Sequence, residues 1–425
     1  MEVIMNTLGS KIRSLRKSKK MTLVDLAGDY MTKGMLSLIE NDKNNPSMES
    51  LEYIAKKLDT TVSVLLEDGD EEITNQIYNK VKEIINVPSL FHNEVIKQTV
   101  SPYIDQIKQN RKGAFIFQWY AFTKGIEKDD KTAMHYLTMA KEIYIKNDDK
   151  NALLDVENDL ISVYFILGKY DSAFTKGVEL YEKYKEDNDI TDPNLIPRLL
   201  LSIAAYGYSS YDTSNLIKYL ELAEEVSIQN KTFKLLSPIY KSQCFKYLLD
   251  EDMDKYQSTY KKFDILKQFN PEDFQTKFDM YTADLIYHFY RREYKELKNL
   301  LEVQQQILVH DKYQTEVDDN FNNIWQLYEA IALYNLGDFD NAIKKLNDYP
   351  NDIPYLAPAD ISIHAQKYTY LAINAERKNE NDNAKEYIMK AMDIIKNIPP
   401  NHFTKITEDT YKRIMNQNKP TDYLS

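Results

Sequence analysis

The sequence predicts an all-α protein in two unequal parts, and three observations carry that reading. Glycine and proline are scarce, 10 and 13 among 425 residues, and apolar residues recur at helical spacing instead of the alternation of strands. A Leu-Gly-x-aromatic-Asp-x-Ala core occurs twice, as LGKYDSAF at 167–174 and LGDFDNAI at 336–343, and an internal repeat of this kind marks a stacked array. With 43% hydrophobic residues, the chain has enough apolar surface for a short domain plus an elongated one.

Five short helices are expected within residues 6–66. In LGSKIRSLRKSKK, Leu8, Ile12 and Leu15 form one apolar stripe, and Lys11, Arg13, Arg16, Lys17, Lys19 and Lys20 occupy the other faces. Thr22 with Asp25 three residues later is a variant capping box for a second helix, in which Leu26 and Ala27 supply core contacts. Thr32 caps a third helix, KGMLSLIE, whose Leu36 and Ile39 point inward and whose Lys33, Gly34, Ser37 and Leu38 point out. NDKNNPS is a polar turn, Ser47 caps a fourth helix with Leu51, Ile54, Ala55 and Leu58 inside, and TTVSVLL closes the bundle.

Charge divides along the same boundary. Residues 1–66 hold ten Lys/Arg and eight Asp/Glu, net +2, which leaves 44 against 58, net -14, for the remainder of a chain of net charge -12. With a Debye length of ~8 Å at physiological salt, distant acidic groups barely weaken a local basic surface. A small basic head can touch phosphate while an acidic body stays clear of it.

Two helices joined by a short turn, with the N-terminus of the second exposed, form the helix-turn-helix geometry that places that N-terminus in a DNA major groove. The pattern resembles the Xre family with its lambda-repressor-like fold: KIRSLRKSKKMT, Leu26-Ala27, IEN at 39–41 and NPS at 45–47 followed by L..IA..L. The resemblance implies binding to a double-stranded DNA operator. It puts Thr32, Lys33, Gly34 and Ser37 toward base edges, and Arg16, Lys20, Lys43 and Asn44 toward phosphates. Leu23 stands where many relatives have a DNA-touching Gln, and Gly34 removes a side chain from the reading surface. No Arg, Gln or Asn is available for a bidentate base contact, so phosphate contacts, Lys33 and DNA shape are expected to carry much of the specificity.

EDGDEEITNQ, with its charge cluster and Gly69, is read as an acidic linker over 67–76. Beyond it, over 77–425, the Ala position of the repeat recurs at Ala133, Ala173, Leu216, Tyr256, Leu297, Ala342 and Ala384, giving seven helical hairpins. Residues 77–125 add a degenerate helical pair. Gly, or Asn379 in the last unit, ends the first helix, and the small residue lets helices approach. No hairpin can bury its apolar face alone, so neighbours stack. The array resembles tetratricopeptide repeats (TPR) with units longer than the usual period of about 34. The resemblance implies a right-handed α-solenoid with an inner groove lined by the first helix of each pair.

Counting back from the Ala positions puts Phe115 and Gln118, Asp155 and Asn158, Arg198 and Leu201, Pro238 and Lys241, Asp279 and Thr282, Ile324 and Leu327, and Gln366 and Thr369 toward that groove. Amides can donate to and accept from a peptide backbone at once. Gln118, Asp155, Asn158, Arg198, Lys241, Asp279 and Gln366 are therefore the candidate peptide contacts, Asn158 leading.

The six His residues are scattered, without a His-Glu-x-x-His pair, phosphate loop or nucleophile elbow, so no enzyme activity, cofactor or metal is expected. YLAPAD and NIPPN read as turns. The single Cys244 reads as a small buried side chain in a reducing cytosol. The longest apolar stretch is interrupted by Arg198, and no N-terminal leader is apparent, so a cytoplasmic protein with no membrane association is expected.

Head and array together resemble the Rap, NprR, PlcR and PrgX (RNPP) family, most of all its NprR branch. The resemblance implies a homodimer or higher homo-oligomer that binds a short signalling peptide in the groove and regulates quorum-dependent genes. The C-terminal hairpins, 336–415, are candidates for the dimer surface. A phage arbitrium-type receptor fits the same residues. The alternative is an interaction protein whose repeats sequester a partner such as a phosphorelay component.

Overall fold

A computed structural model of the chain describes residues 7–66, 69–87, 92–209, 213–303, 324–351, 358–398 and 400–416. Helices are the regular structure throughout the described residues. The head holds α1 (Leu8–Ser18), α2 (Leu23–Ala27), α3 (Lys33–Glu40), α4 (Met48–Lys57) and α5 (Val62–Leu66), and the expected caps set their starts. Thr22 and Asp25 close a reciprocal capping box, while Thr32 and Ser47 each accept a backbone N–H at the start of their helices. Ile12, Leu26, Leu36, Ile39, Leu51, Ile54, Leu58 and Leu65 form the buried core. Helix α1 crosses α3 closely at Gly9, where a Cβ would lie 2.2 Å from the Ile39 carbonyl oxygen.

The acidic stretch is not a linker. Helix α6 spans Gly69–Asn86, and Asp70, Glu71 and Glu72 sit in its first turn, where carboxylates favour the positive end of the helix dipole. Glu72 reaches Lys11 of the head at 3.4 Å, and Glu71 accepts from Asn110. With α7 (His92–Val100) and a 3-10 turn (Ser101–Gln106), α6 buries Ile77, Val81 and Ile84, so the extra pair occupies 69–106 and not 77–125.

Seven pairs follow: α8 (Arg111–Ile126) with α9 (Asp130–Lys146), α10 (Lys150–Ile166) with α11 (Tyr170–Tyr184), α12 (Leu195–Ser209) with α13 (Thr213–Gln229), and α14 (Leu236–Leu249) with α15 (Met253–Phe269). The others are α16 (Phe274–Arg291) with α17 (Tyr294–Glu302), α18 (Ile324–Asn335) with α19 (Phe339–Asp348), and, after a short α20 (Pro358–His364), α21 (Gln366–Arg377) with α22 (Asn381–Ile395). Helix α23 (His402–Asn416) packs on the last pair. Helices within each pair touch, and α10 also touches both α8 and α12 directly, as α14 touches α16.

The repeat register has a backbone cause. Lys128, Gly168, Glu251, Arg292, Gly337 and Asn379 all adopt positive φ, and they precede Ala133, Ala173, Tyr256, Leu297, Ala342 and Ala384 by five positions in every case. A left-handed residue terminates the first helix and turns the chain back. The six positions that follow, with Leu216, are all buried between helices. The turns expected at YLAPAD and NIPPN lie partly outside the described residues, and Pro358 opens α20, where its missing N–H costs nothing. Cys244 is buried, and desolvation pushes its thiol up to about 12.

Candidate nucleic-acid interface and inner-wall ligand site

On the head, Thr32 caps α3 with its hydroxyl accepting from the Met35 N–H at 3.1 Å. Lys33 and Gly34 are exposed, Ser37 is half-buried, and Lys20, Lys43 and Asn44 are exposed. Among the described residues, no carboxylate pairs with Lys17, Lys20, Lys33 or Lys43, whereas Lys11 and Lys19 are taken by Glu72 and Asp59. Of these exposed lysines, Lys33 opens α3 and Lys43 lies three residues past its end.

Arg16 does not join that surface. Its guanidinium grips Glu40 in a bidentate pair, Nε to Oε1 at 2.6 Å and Nη2 to Oε2 at 2.8 Å, and Nη1 donates to the Met21 carbonyl at 2.8 Å. It is 8% exposed and its pKa is raised by the hydrogen bond to Glu40. The expected phosphate contact is corrected to a bolt between α1 and the end of α3. Arg16 follows Ile12 by four positions and so shares the buried side of α1, which brings its guanidinium to the carboxylate.

Along the body, the residues counted toward the groove meet across neighbouring first helices. Gln118 on α8 donates through Nε2 to Asp155 Oδ2 at 2.9 Å and to Asp159 Oδ2 at 2.7 Å, both on α10. Asp155 pairs in turn with Arg198 on α12, and Asn158 Nδ2 donates to Ser202 Oγ at 3.3 Å. Ser162 and Tyr206 share a hydrogen bond at 2.7 Å. Burial lowers the pKa of Arg198, pushes Tyr206 up to about 12, and raises Asp159 to about 6 against the lowering effect of its Gln118 hydrogen bond.

Gln118, Asp155, Asn158 and Arg198 thus belong to one cluster. Asp155 and Arg198 retain side-chain exposures of 24% and 38%. The Asn158 side-chain oxygen is buried without a donor among the described residues. Asp159, Ser162, Ser202 and Tyr206 are not among the residues counted toward the groove, although 155, 158, 159 and 162 form an i, i+3, i+4, i+7 polar stripe along α10. The two-position repeat count was too narrow to see it.

Lys241 and Asp279 form a second pair, Nζ to Oδ1 at 2.5 Å, and Asp279 also accepts from Ser237 and Gln275. Asp279 is 0% exposed, so its expected role as a ligand contact is corrected to an internal anchor between α14 and α16. Gln366 is corrected likewise. It is 1% exposed, and its amide nitrogen donates to the Ser362 and Phe403 carbonyls and to Thr407 Oγ1, fastening α21 to α23.

Among the described residues, no group of three or more His, Cys, Asp or Glu side chains is placed to hold a metal, and no helix is long and apolar enough to cross a membrane.

A capped helix with an exposed N-terminus beside free lysines, followed by stacked helical hairpins, defines a helix-turn-helix head on a repeat body. A helix-turn-helix family model matches residues 12–65. The Immunity repressor protein of Bacillus phage phi105 is 35% identical over 71 residues, 16% of this chain and 48% of that protein, so the chain spans about half the length of the curated relative it matches. The chain is also similar to solved helical structures. PlcR of Bacillus thuringiensis, solved with the peptide PapR7 and DNA, is 18% identical with a TM-score of 0.39, covering 62% of this chain and 96% of that one. Aspartyl phosphate phosphatase F of Bacillus subtilis is 16% identical with a TM-score of 0.46, covering 82% and 94%. ComR of Streptococcus suis is 17% identical with a TM-score of 0.34, covering 64% and 92%.

Proposed function

We propose that the chain is a cytoplasmic transcriptional regulator of RNPP type whose DNA affinity is set by a short peptide held along the inner wall of α8, α10 and α12. The head supports the first half. A helix N-terminus with Thr32, Lys33 and Gly34 exposed, rimmed by lysines without carboxylate partners, suits a major groove and its phosphates.

The observation that carries the second half is Asn158. Its buried side-chain oxygen has no donor among the described residues, and the neighbouring Gln118, Asp155 and Arg198 side chains are linked to one another, with Gln118 also accepting from the Tyr144 hydroxyl. An extended peptide offers a row of N–H and C=O groups that can replace such pairings one for one. Exchange of pairs between first helices is also a way to alter how hairpins stack, and thereby how two heads of a homodimer are spaced on half-sites about 34 Å apart.

The test has two stages. Duplexes are selected from random DNA with the intact chain, and Lys33→Glu is expected to abolish their mobility shift. Short peptides are then screened for a change in that shift, and Asn158→Ala is expected to remove the response while leaving peptide-free DNA binding intact. Failure to retain any duplex at low salt would overturn the DNA half. A response untouched by Asn158→Ala would overturn the placement of the ligand.

A further inference from the structure

Beside Lys33 and Ser37, the outer face of α3 carries exposed apolar side chains where a base-reading helix usually carries hydrogen-bonding forks. Leu38 is 46% exposed and Met35 36%, one turn apart, while the inward face is filled by Leu36 and Ile39. Scattered apolar residues on a surface need no explanation by themselves. Gly34 supplies an independent one. It lies one turn before Leu38 on the same exposed face, in ordinary helical conformation, and a Cβ there would meet only Thr32 Oγ1, at 3.9 Å. The fold does not need this glycine, in contrast to Gly9, and a glycine inside a helix weakens it relative to alanine. The open space over Gly34 is room in which an outside surface can approach the backbone closely.

We infer that Leu38, aided by Met35, reads thymine through its C5-methyl group, and that Gly34 lets α3 sink far enough into the major groove for that contact. The inference rests on the DNA-binding reading above. The thymine methyl is the apolar feature of the major groove, and leucine cannot donate to or accept from any base edge. The free lysines beside α3 supply the charge complement that draws an apolar surface onto a polyanion. The selected operator is therefore rich in A·T pairs with thymine methyls beneath Met35 and Leu38.

Uracil substitution tests this without altering any Watson–Crick pair. In a duplex selected by the intact chain, each contacted thymine is replaced by uracil, which deletes only the methyl. Wild-type affinity is expected to fall about three- to fivefold per contacted methyl, the equivalent of one buried methyl group. Leu38→Ala is expected to bind the thymine duplex more weakly and to be indifferent to the replacement. Gly34→Ala is expected to raise the head's melting temperature by about 4–8 °C while weakening DNA binding. Wild-type protein that binds thymine and uracil duplexes equally, or a Leu38→Ala variant that keeps the full penalty, would overturn the assignment while leaving DNA binding itself in place. Absence of binding to any duplex would instead remove the reading on which it rests.

Discussion

Replacing Arg16 by alanine separates a structural bolt from a phosphate contact. The substitution strands the Glu40 carboxylate, 5% exposed, and deprives the Met21 carbonyl of its donor. Breaking one side of a buried ion pair costs ~3–5 kcal/mol. At ~0.05–0.15 kcal/mol per residue, a head of roughly 60 residues has only ~3–9 kcal/mol in total. Arg16→Ala is therefore expected to unfold much or all of the head at moderate temperature. Replacing both partners together, Arg16→Met with Glu40→Leu, leaves no unpaired charge and is expected to retain most of the stability. The two tryptophans, Trp119 and Trp325, both lie in the body, so urea unfolding read by tryptophan fluorescence reports the body alone. Far-UV circular dichroism reports head and body together. The expected result is an early transition in circular dichroism with the fluorescence midpoint unchanged. An Arg16→Ala protein that unfolds like wild type, yet binds DNA with a slope of log K against log salt reduced by about 0.9, would refute the bolt and restore a phosphate contact.

Three further outcomes follow from named contacts. Lys43→Ala is expected to weaken binding to all duplexes about equally and to reduce the salt slope by about 1, read by titration between low and physiological salt. Gly9→Ala drives a methyl against the Ile39 carbonyl oxygen and is expected to destabilise the head by about 1–3 kcal/mol in thermal unfolding. Asp159→Asn changes the pH dependence of the body. Burial raises the Asp159 pKa to about 6, so the folded state binds more protons than the unfolded one between the unfolded value and about 6, and stability is lost as pH rises through that window. The groups facing it are Gln118, Tyr144 and Tyr206, and removing its charge is expected to flatten that loss in urea midpoints measured from pH 4 to 7.

Helix existence and repeat register were legible because both rest on local signals. The capping Thr22, Thr32 and Ser47 fix helix starts, and the left-handed residue five positions before each buried small or apolar side chain fixes the turn, even where Lys128, Glu251 or Arg292 stands in place of glycine. The pairing of groove residues was only half legible. Counting placed Gln118, Asp155, Asn158 and Arg198 on a common wall, but not which of them neighbouring helices would consume. Asp279 and Gln366 have the same residue chemistry and the same register, yet tertiary packing closes both almost completely, while Gln118 and Asn158, themselves buried, adjoin the partly exposed Asp155 and Arg198. The acidic stretch misled for a related reason. Charge clusters suggest solvated linkers, while Asp70, Glu71 and Glu72 instead favour a helix start and find Lys11 and Asn110 across the interface. Arg16 misled because its charge suggests an outer face, although it follows Ile12 by four positions and shares the buried side of α1.

Linkage between the two sites is the most direct measurement of the account as a whole. If a peptide on the α8–α10–α12 wall governs DNA affinity, the factor by which saturating peptide changes the dissociation constant for the selected duplex must equal the factor by which saturating duplex changes that for the peptide. The expected result, by titration calorimetry on the intact chain, is one common factor of about 5–150 in both directions, collapsing to unity in Asn158→Ala. Peptide and DNA binding that leave each other's dissociation constants unchanged would contradict it.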